Sequence, residues 1–207
     1  MEQTFDNLDD YIADLKAKLD KNSGCANTMY NLGVAYLSKR EFMDAERYFL
    51  AAVSESPKMA EAYVQLGGIA LQRDDLEGCL NYNIQATKER PFFAVPWGNI
   101  GFVQLQMGDA DKALQSLKRA LKYDPNFAQA LSTLGSCHIA LGDYDEAEKA
   151  LQKVVDLQPQ FGPAWNNLAI VSAHNKDWKK ADEYAKKAQE SRFEVPEEFL
   201  KEIQENL

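Results

Sequence analysis

The chain has 207 residues and is 45% hydrophobic, enough to bury a sizeable core as one domain or one elongated array, which excludes a disordered tail. Its 32 acidic against 23 basic residues leave a formal charge of −9 and a pI near 4.8, which argues against nucleic acid as the partner. The acidic opening MEQTFDNLDD has neither the basic start nor the apolar run of a signal peptide, and no stretch reaches the roughly 20 apolar residues of a membrane span, so a cytoplasmic protein without membrane insertion is expected.

Residues 1–25 predict an amphipathic helix. Phe5, Leu8, Ile12, Leu15 and Leu19 recur at alternating spacings of three and four, a short heptad-like seam. Three uses are open to it: a cover on the helices that follow, a contact for self-association, or a segment folded back onto a binding face.

From residue 26 the chain repeats itself. Pro57, Pro91, Pro125 and Pro159 fall at a constant separation of 34 residues and mark helix stops. The period divides the chain into 26–59, 60–93, 94–127, 128–161 and 162–193, each read as a pair of helices. In the fourth column stand Met29, Tyr63, Trp97, Leu131 and Trp165; in the seventh, Leu32, Leu66, Ile100, Leu134 and Leu168. The eighth holds Gly33, Gly67, Gly101, Gly135 and Ala169, the twentieth Ala45, Cys79, Ala113, Ala147 and Ala181, and the twenty-seventh Ala52, Ala86, Ala120, Val154 and Ala188. At about 100° per residue the fourth, seventh, eighth and eleventh columns share one apolar stripe of the first helix, and the small columns let two helices approach closely. Glu41, Asp75, Asp109, Asp143 and Asp177 each open a second helix, where a carboxylate can accept orphan backbone N–H groups.

Within residues 194–207, in the stretch VPEEFLKEIQENL that starts at Val195, Pro196 predicts a helix start, and Phe199, Leu200, Ile203 and Leu207 form one apolar face. This segment reads as a C-terminal capping helix, because repeated units leave their outermost apolar face uncovered.

The columns resemble the tetratricopeptide repeat (TPR) family, whose pattern is W-x2-L-G-x2-Y, then A-x3-F, then a terminal Pro. MYNLGVAY with AERYF and Pro57 is the fullest match, and GSCHIALGDYDEAEKAL with Pro159 is nearly as good. Departures are local: Ala70 stands where Tyr is usual, Asn83 where Phe is usual, and the fifth unit has Phe193 in place of Pro. The resemblance implies an all-α fold, a right-handed superhelix of five TPR helix pairs with an N-terminal helix and a C-terminal capping helix.

In that family the second, sixth, ninth and thirteenth columns line the concave face. Here they hold eight amides and three hydroxyls, and only Glu61 among their twenty residues is charged. Asn31, Gln65, Asn99, Thr133 and Asn167 form the sixth column, with Asn27 and Gln129 in the second and Asn166 at the edge. Such a ladder can pair with the peptide units of an extended chain, because an amide both donates and accepts. It is similar to the asparagine ladder of the O-GlcNAc transferase family. Phe102, Val95, Val34 and Ile170, with Tyr30 on the groove edge, are the candidate apolar anchors. The basic clamp by which some TPR adaptors hold chaperone C-termini is missing, since Tyr30, Val34, Gln65, Val95 and Asn99 occupy its positions. The alternative is an idle ladder, with a partner bound on the opposite, convex face.

Nothing converges on chemistry. There is no Gly-rich phosphate loop and no spaced nucleophile, base and orienting group. Cys25, Cys79 and Cys137 are unevenly spaced, and His138 and His174 are far apart, so neither a disulfide framework nor a metal site is expected. No cofactor is expected. The resulting expectation is a non-catalytic scaffold or adaptor that binds a protein or peptide partner. Its alternatives are a regulatory or chaperone-like subunit of an enzyme or secretion complex, or a self-assembling scaffold.

Overall fold

The computed structural model describes residues 7–207, which form twelve α-helices and no strand among the described residues. They divide into two compact units, the first ending at Pro96 and the second beginning at Trp97.

The first unit begins with α1 (Leu8–Lys21), capped by the Asn7 side chain, which accepts from the Asp10 amide at 2.8 Å. Ile12 and Leu15 are buried in one core with Met29, Leu32 and Phe49, and Leu8 and Leu19 pack against its margin. The helix thus covers α2 with the predicted seam; Phe5 lies outside the described residues. Two antiparallel-type pairs follow, α2 (Ala26–Ser38) with α3 (Phe42–Glu55), and α4 (Ala60–Gln72) with α5 (Leu76–Glu89).

The second unit contains most of α6 (Ala94–Gln106), then α7 (Ala110–Tyr123), α8 (Ala128–Leu141), α9 (Tyr144–Leu157), α10 (Gly162–His174), α11 (Trp178–Glu190) and α12 (Glu197–Asn206). The second helix of each of the first four pairs stops two residues before its proline. Every residue of the twentieth and twenty-seventh columns is at most 1% exposed. These positions are small because the crossing helices leave no room. A Cβ added at Gly33 would lie 2.6 Å from the Phe49 ring, and one at Gly135 would lie 2.5 Å from Leu151 Cγ. In the fifth pair Ala169 and Ala185 occupy the corresponding positions and share one buried cluster, so a larger eighth-column residue accompanies a smaller partner. Asn83 is fully buried, and its Nδ2 donates to the Cys79 carbonyl at 2.8 Å, which supplies the partner a core amide needs.

Three details depart from expectation. All five acids stand at the N-cap, yet only Asp75 and Asp177 accept from a backbone amide, at 2.8 and 3.2 Å; Glu41 pairs instead with Lys39 and Asp109 with Lys112. A flexible nearby ammonium competes with the helix terminus for these carboxylates. Leu207 is 56% exposed, because α12 ends at Asn206 before the predicted apolar face is complete; Ile203, 1% exposed, anchors that helix. Pro196 is the N-cap, one residue before the first helical residue.

The turn between the helices of a pair needs a left-handed residue. Gly108 and Gly142 supply it in two turns, whereas Arg40, Asp74 and Lys176 adopt φ of 61°, 60° and 59° with a side chain in place. Arg40→Gly and Lys176→Gly are each expected to stabilise by about 0.5–1 kcal/mol, the relief of strain outweighing the extra freedom of the unfolded chain. Thermal unfolding followed by circular dichroism checks this, and a lowered midpoint would contradict it.

The cysteines also differ in environment. Burial pushes the Cys79 thiol up to about 11 and raises Cys137 too, whereas the Thr28 hydroxyl, donating to the Cys25 sulfur at 3.1 Å, holds Cys25 below the usual thiol range. Thiolate reacts and thiol does not, so a lowered value means faster reaction near neutral pH. A disulfide reagent is expected to label Cys25 promptly in the native protein, and Cys79 and Cys137 only once denaturant is added. Prompt labelling of all three would be inconsistent with this packing.

Candidate functional site

In the second unit, residues of the second, sixth, ninth and thirteenth columns from α6, α8 and α10 converge. There they enclose a cavity of about 240 Å³. Phe102 and Leu105 of α6 form one wall, Phe161 and Pro163 at the start of α10 the other, and Ser132, Thr133 and Ser136 of α8 lie between. Gln106, Gln129 and Asn167 complete the lining, and none of these residues is charged.

The polar groups are unequally available. Gln106 and Gln129 are exposed. Asn167 is half-buried, and its Nδ2 donates to Ser136 Oγ at 2.8 Å, while that hydroxyl donates to the Ser132 carbonyl at 3.3 Å. Thr133 departs from the expected ladder: it is 7% exposed, and its hydroxyl donates to the Gln129 carbonyl at 2.9 Å, the local bond that a hydroxyl in a helix readily makes. Asn99 is half-buried. Nearby, Gln104 Oε1 accepts from Ser116 Oγ at 2.7 Å.

Asn166 corrects the sequence reading most clearly. Expected at a solvent-exposed edge, it is 8% exposed, and its Oδ1 is buried without a hydrogen-bond partner. Tyr144 of α9 and Phe199 of α12 flank this side of α10 and, with Asn166 and Ile170, line a separate cavity. His138, read as a core residue, keeps 13% of its side chain exposed, with Nδ1 3.5 Å from Asp143 Oδ2.

In the first unit Asn27 and Asn31 are exposed and Gln65 is half-buried. Tyr30 is half-buried, its ring tilted against Phe49 at 5.6 Å, so it belongs as much to the core as to the surface. Val34 is 36% exposed and Val95 half-buried. Glu61, the one charge of these columns, is paired with Arg90.

Leu105, Ser132 and Phe161 were missed as lining residues. Phe161 precedes α10 as its N-cap, so a wheel drawn for the helix alone omits it. Among the described residues no cluster of three or more His, Cys, Asp or Glu is placed to hold a metal ion, and no helix is long and apolar enough to cross a membrane.

Helix pairs of constant period, joined through small residues, define an α-helical repeat protein. Models of the tetratricopeptide repeat match residues 30–78 and 104–169, together more than half of the chain. The chain belongs to the tetratricopeptide repeat family, whose members are in general non-catalytic modules that bind protein partners. No curated protein sequence matches it. Among solved structures it is similar to PilF of Pseudomonas aeruginosa, with a TM-score of 0.82 at 17% identity over 97% of this chain and 90% of that one. PilW, a widely conserved type IV pilus biogenesis factor, aligns with a TM-score of 0.77 at 22% identity, covering 87% of this chain and 85% of its own. YrrB, a TPR protein with an unusual peptide-binding site, gives 0.71 at 19% identity over 92% of this chain and 97% of YrrB. At these identities the likeness establishes the fold alone.

Proposed function

We propose that the protein is a non-catalytic interaction module that binds an extended, uncharged segment of a partner protein on the first-helix face of its second unit. One apolar side chain of that segment sits between Phe102, Leu105 and Phe161. Gln106, Gln129 and Asn167 bond its backbone. The observation that carries this reading is the cavity itself: apolar walls, amides at the rim and no charge in the lining. The peptide-binding site of YrrB, a protein of the same fold, is consistent with it. Asn99 and Thr133 contribute by shaping the surrounding helix faces, whereas Asn166 and Ile170 line the separate cavity; Asn27, Tyr30, Asn31, Gln65 and Val95 offer similar chemistry on the first unit.

Burying one leucine- or phenylalanine-sized side chain contributes about 1.5–3 kcal/mol. Each rim amide adds about 0.5–1.5 kcal/mol net. After the cost of ordering the segment, an affinity on the order of micromolar follows. Selection of binders from a displayed random-peptide library, followed by fluorescence polarisation of the strongest one, tests the reading. Phe102→Ala is expected to weaken that peptide about tenfold or more, about 1.4 kcal/mol, and Gln129→Ala by a smaller factor. Affinity should change little between low and high salt, as no charge lines the cavity. An unchanged affinity in Phe102→Ala, or a steep loss with salt, would contradict the proposal.

A further inference from the structure

We propose that the side chain seated in the uncharged cavity of the second unit is a tyrosine of the partner segment, read by the hydroxyl of Ser132. This rests on the cavity being the place where the segment binds, and adds which residue that segment must carry.

The cavity has a floor and a mouth. Ser132 and Thr133, 6% and 7% exposed, are its most buried lining residues, whereas Gln106, Gln129 and Pro163 are exposed. Its volume of about 240 Å³ falls below the roughly 300–1,000 Å³ of sites that enclose a whole small molecule, which suits a single large side chain.

The polar groups of the lining differ in what they have left to offer. The Thr133 hydroxyl donates to the Gln129 carbonyl at 2.9 Å, and the Ser136 hydroxyl to the Ser132 carbonyl at 3.3 Å. Asn167 spends Nδ2 on Ser136 Oγ at 2.8 Å, which leaves its Oδ1 as an acceptor. Ser132 is the exception. Its hydroxyl makes no hydrogen bond among the described residues, although the residue is more than nine-tenths buried, and its oxygen is not sealed from solvent as Asn166 Oδ1 is. Because Ser132 lines this cavity, the surface it keeps opens there. Such a hydroxyl both donates and accepts. Closing the cavity with a side chain that offers it no partner would leave it buried and unpaired, which is unfavourable.

Tyrosine meets both demands. Its ring fits the apolar walls of Phe102, Leu105 and Phe161, where aromatic contacts add to the burial of area. Its hydroxyl can accept from Ser132 and donate to an acceptor still free, of which Asn167 Oδ1 is one. Phenylalanine and leucine suit the walls but leave Ser132 unpaired. An indole N–H donates and accepts nothing, and a primary amide lacks the ring. Lysine or arginine would meet no carboxylate in the lining, and a phosphorylated tyrosine no cation.

The test uses the full chain as bait for a displayed random-peptide library, followed by fluorescence polarisation of the strongest peptide and its variants. A tyrosine at one shared position is expected among the selected sequences. Its replacement by phenylalanine should weaken binding about fivefold, and by phosphotyrosine more than about tenfold. In Ser132→Ala, a change that a helix interior accepts readily, the preference for tyrosine over phenylalanine should vanish. Peptides that depend on Phe102 yet carry leucine or phenylalanine at the shared position, phosphotyrosine bound as well as tyrosine, or a tyrosine preference that survives in Ser132→Ala would each overturn the assignment and leave the role of the cavity standing. Peptides indifferent to Phe102→Ala would overturn both.

Discussion

Replacing Phe49 by alanine is expected to lower the stability of the first unit by about 3–5 kcal/mol. Phe49 is fully buried, packs in one cluster with Ile12, Leu15, Leu32 and Leu66, and meets the Tyr30 ring at 5.6 Å. Its ring also lies where the side chain of residue 33 would otherwise be. Removing it therefore opens a cavity beneath several elements at once. Rigid helix backbones on both sides prevent full collapse, which places the cost in the upper part of the range for large-to-small changes. Urea unfolding followed by far-UV circular dichroism measures it. A loss below about 1 kcal/mol would mean that the ring is not the keystone of this helix crossing.

The second large effect concerns its neighbour. Gly33→Ala in the middle of α2 should gain up to about 1 kcal/mol from helix propensity alone. The opposite is expected, a net loss of about 1–3 kcal/mol, because the new Cβ would stand 2.6 Å from two atoms of a fully buried aromatic ring. The two substitutions should also compensate. In the Phe49→Ala background the added methyl enters vacated space, so Gly33→Ala should become neutral or stabilising. The fifth pair carries that combination naturally as Ala169 and Ala185. A double-mutant cycle reads the coupling; additive effects would show that the clash is relieved elsewhere.

The helix pairs were legible because their constraint is local and repeated. Prolines at a fixed period stop helices, and Ala52 or Ala86 must be small wherever two helices cross. Those columns are at most 1% exposed throughout. The candidate site was legible only in part. Asn167 and Phe102 face the uncharged cavity, as the helical wheel places them. Asn166, one residue away, is almost fully buried and lines a different cavity, which Tyr144 and Phe199 enter from other helices. Thr133 lies in the expected column, yet its hydroxyl is spent on its own helix. A wheel gives the direction of a side chain and not what arrives to meet it. The same holds for the N-cap acids, where Lys39 and Lys112 draw Glu41 and Asp109 away from the backbone.

The central claim is that the uncharged first-helix face of the second unit is where a partner's chain lies. Photo-cross-linking of the selected peptide tests it most directly, with benzoylphenylalanine placed at Gln106 on the cavity rim or at Gln152 on the exposed face of α9. The account predicts cross-links from position 106 and none from position 152. Cross-links from position 152 alone, or equally from both, would contradict it.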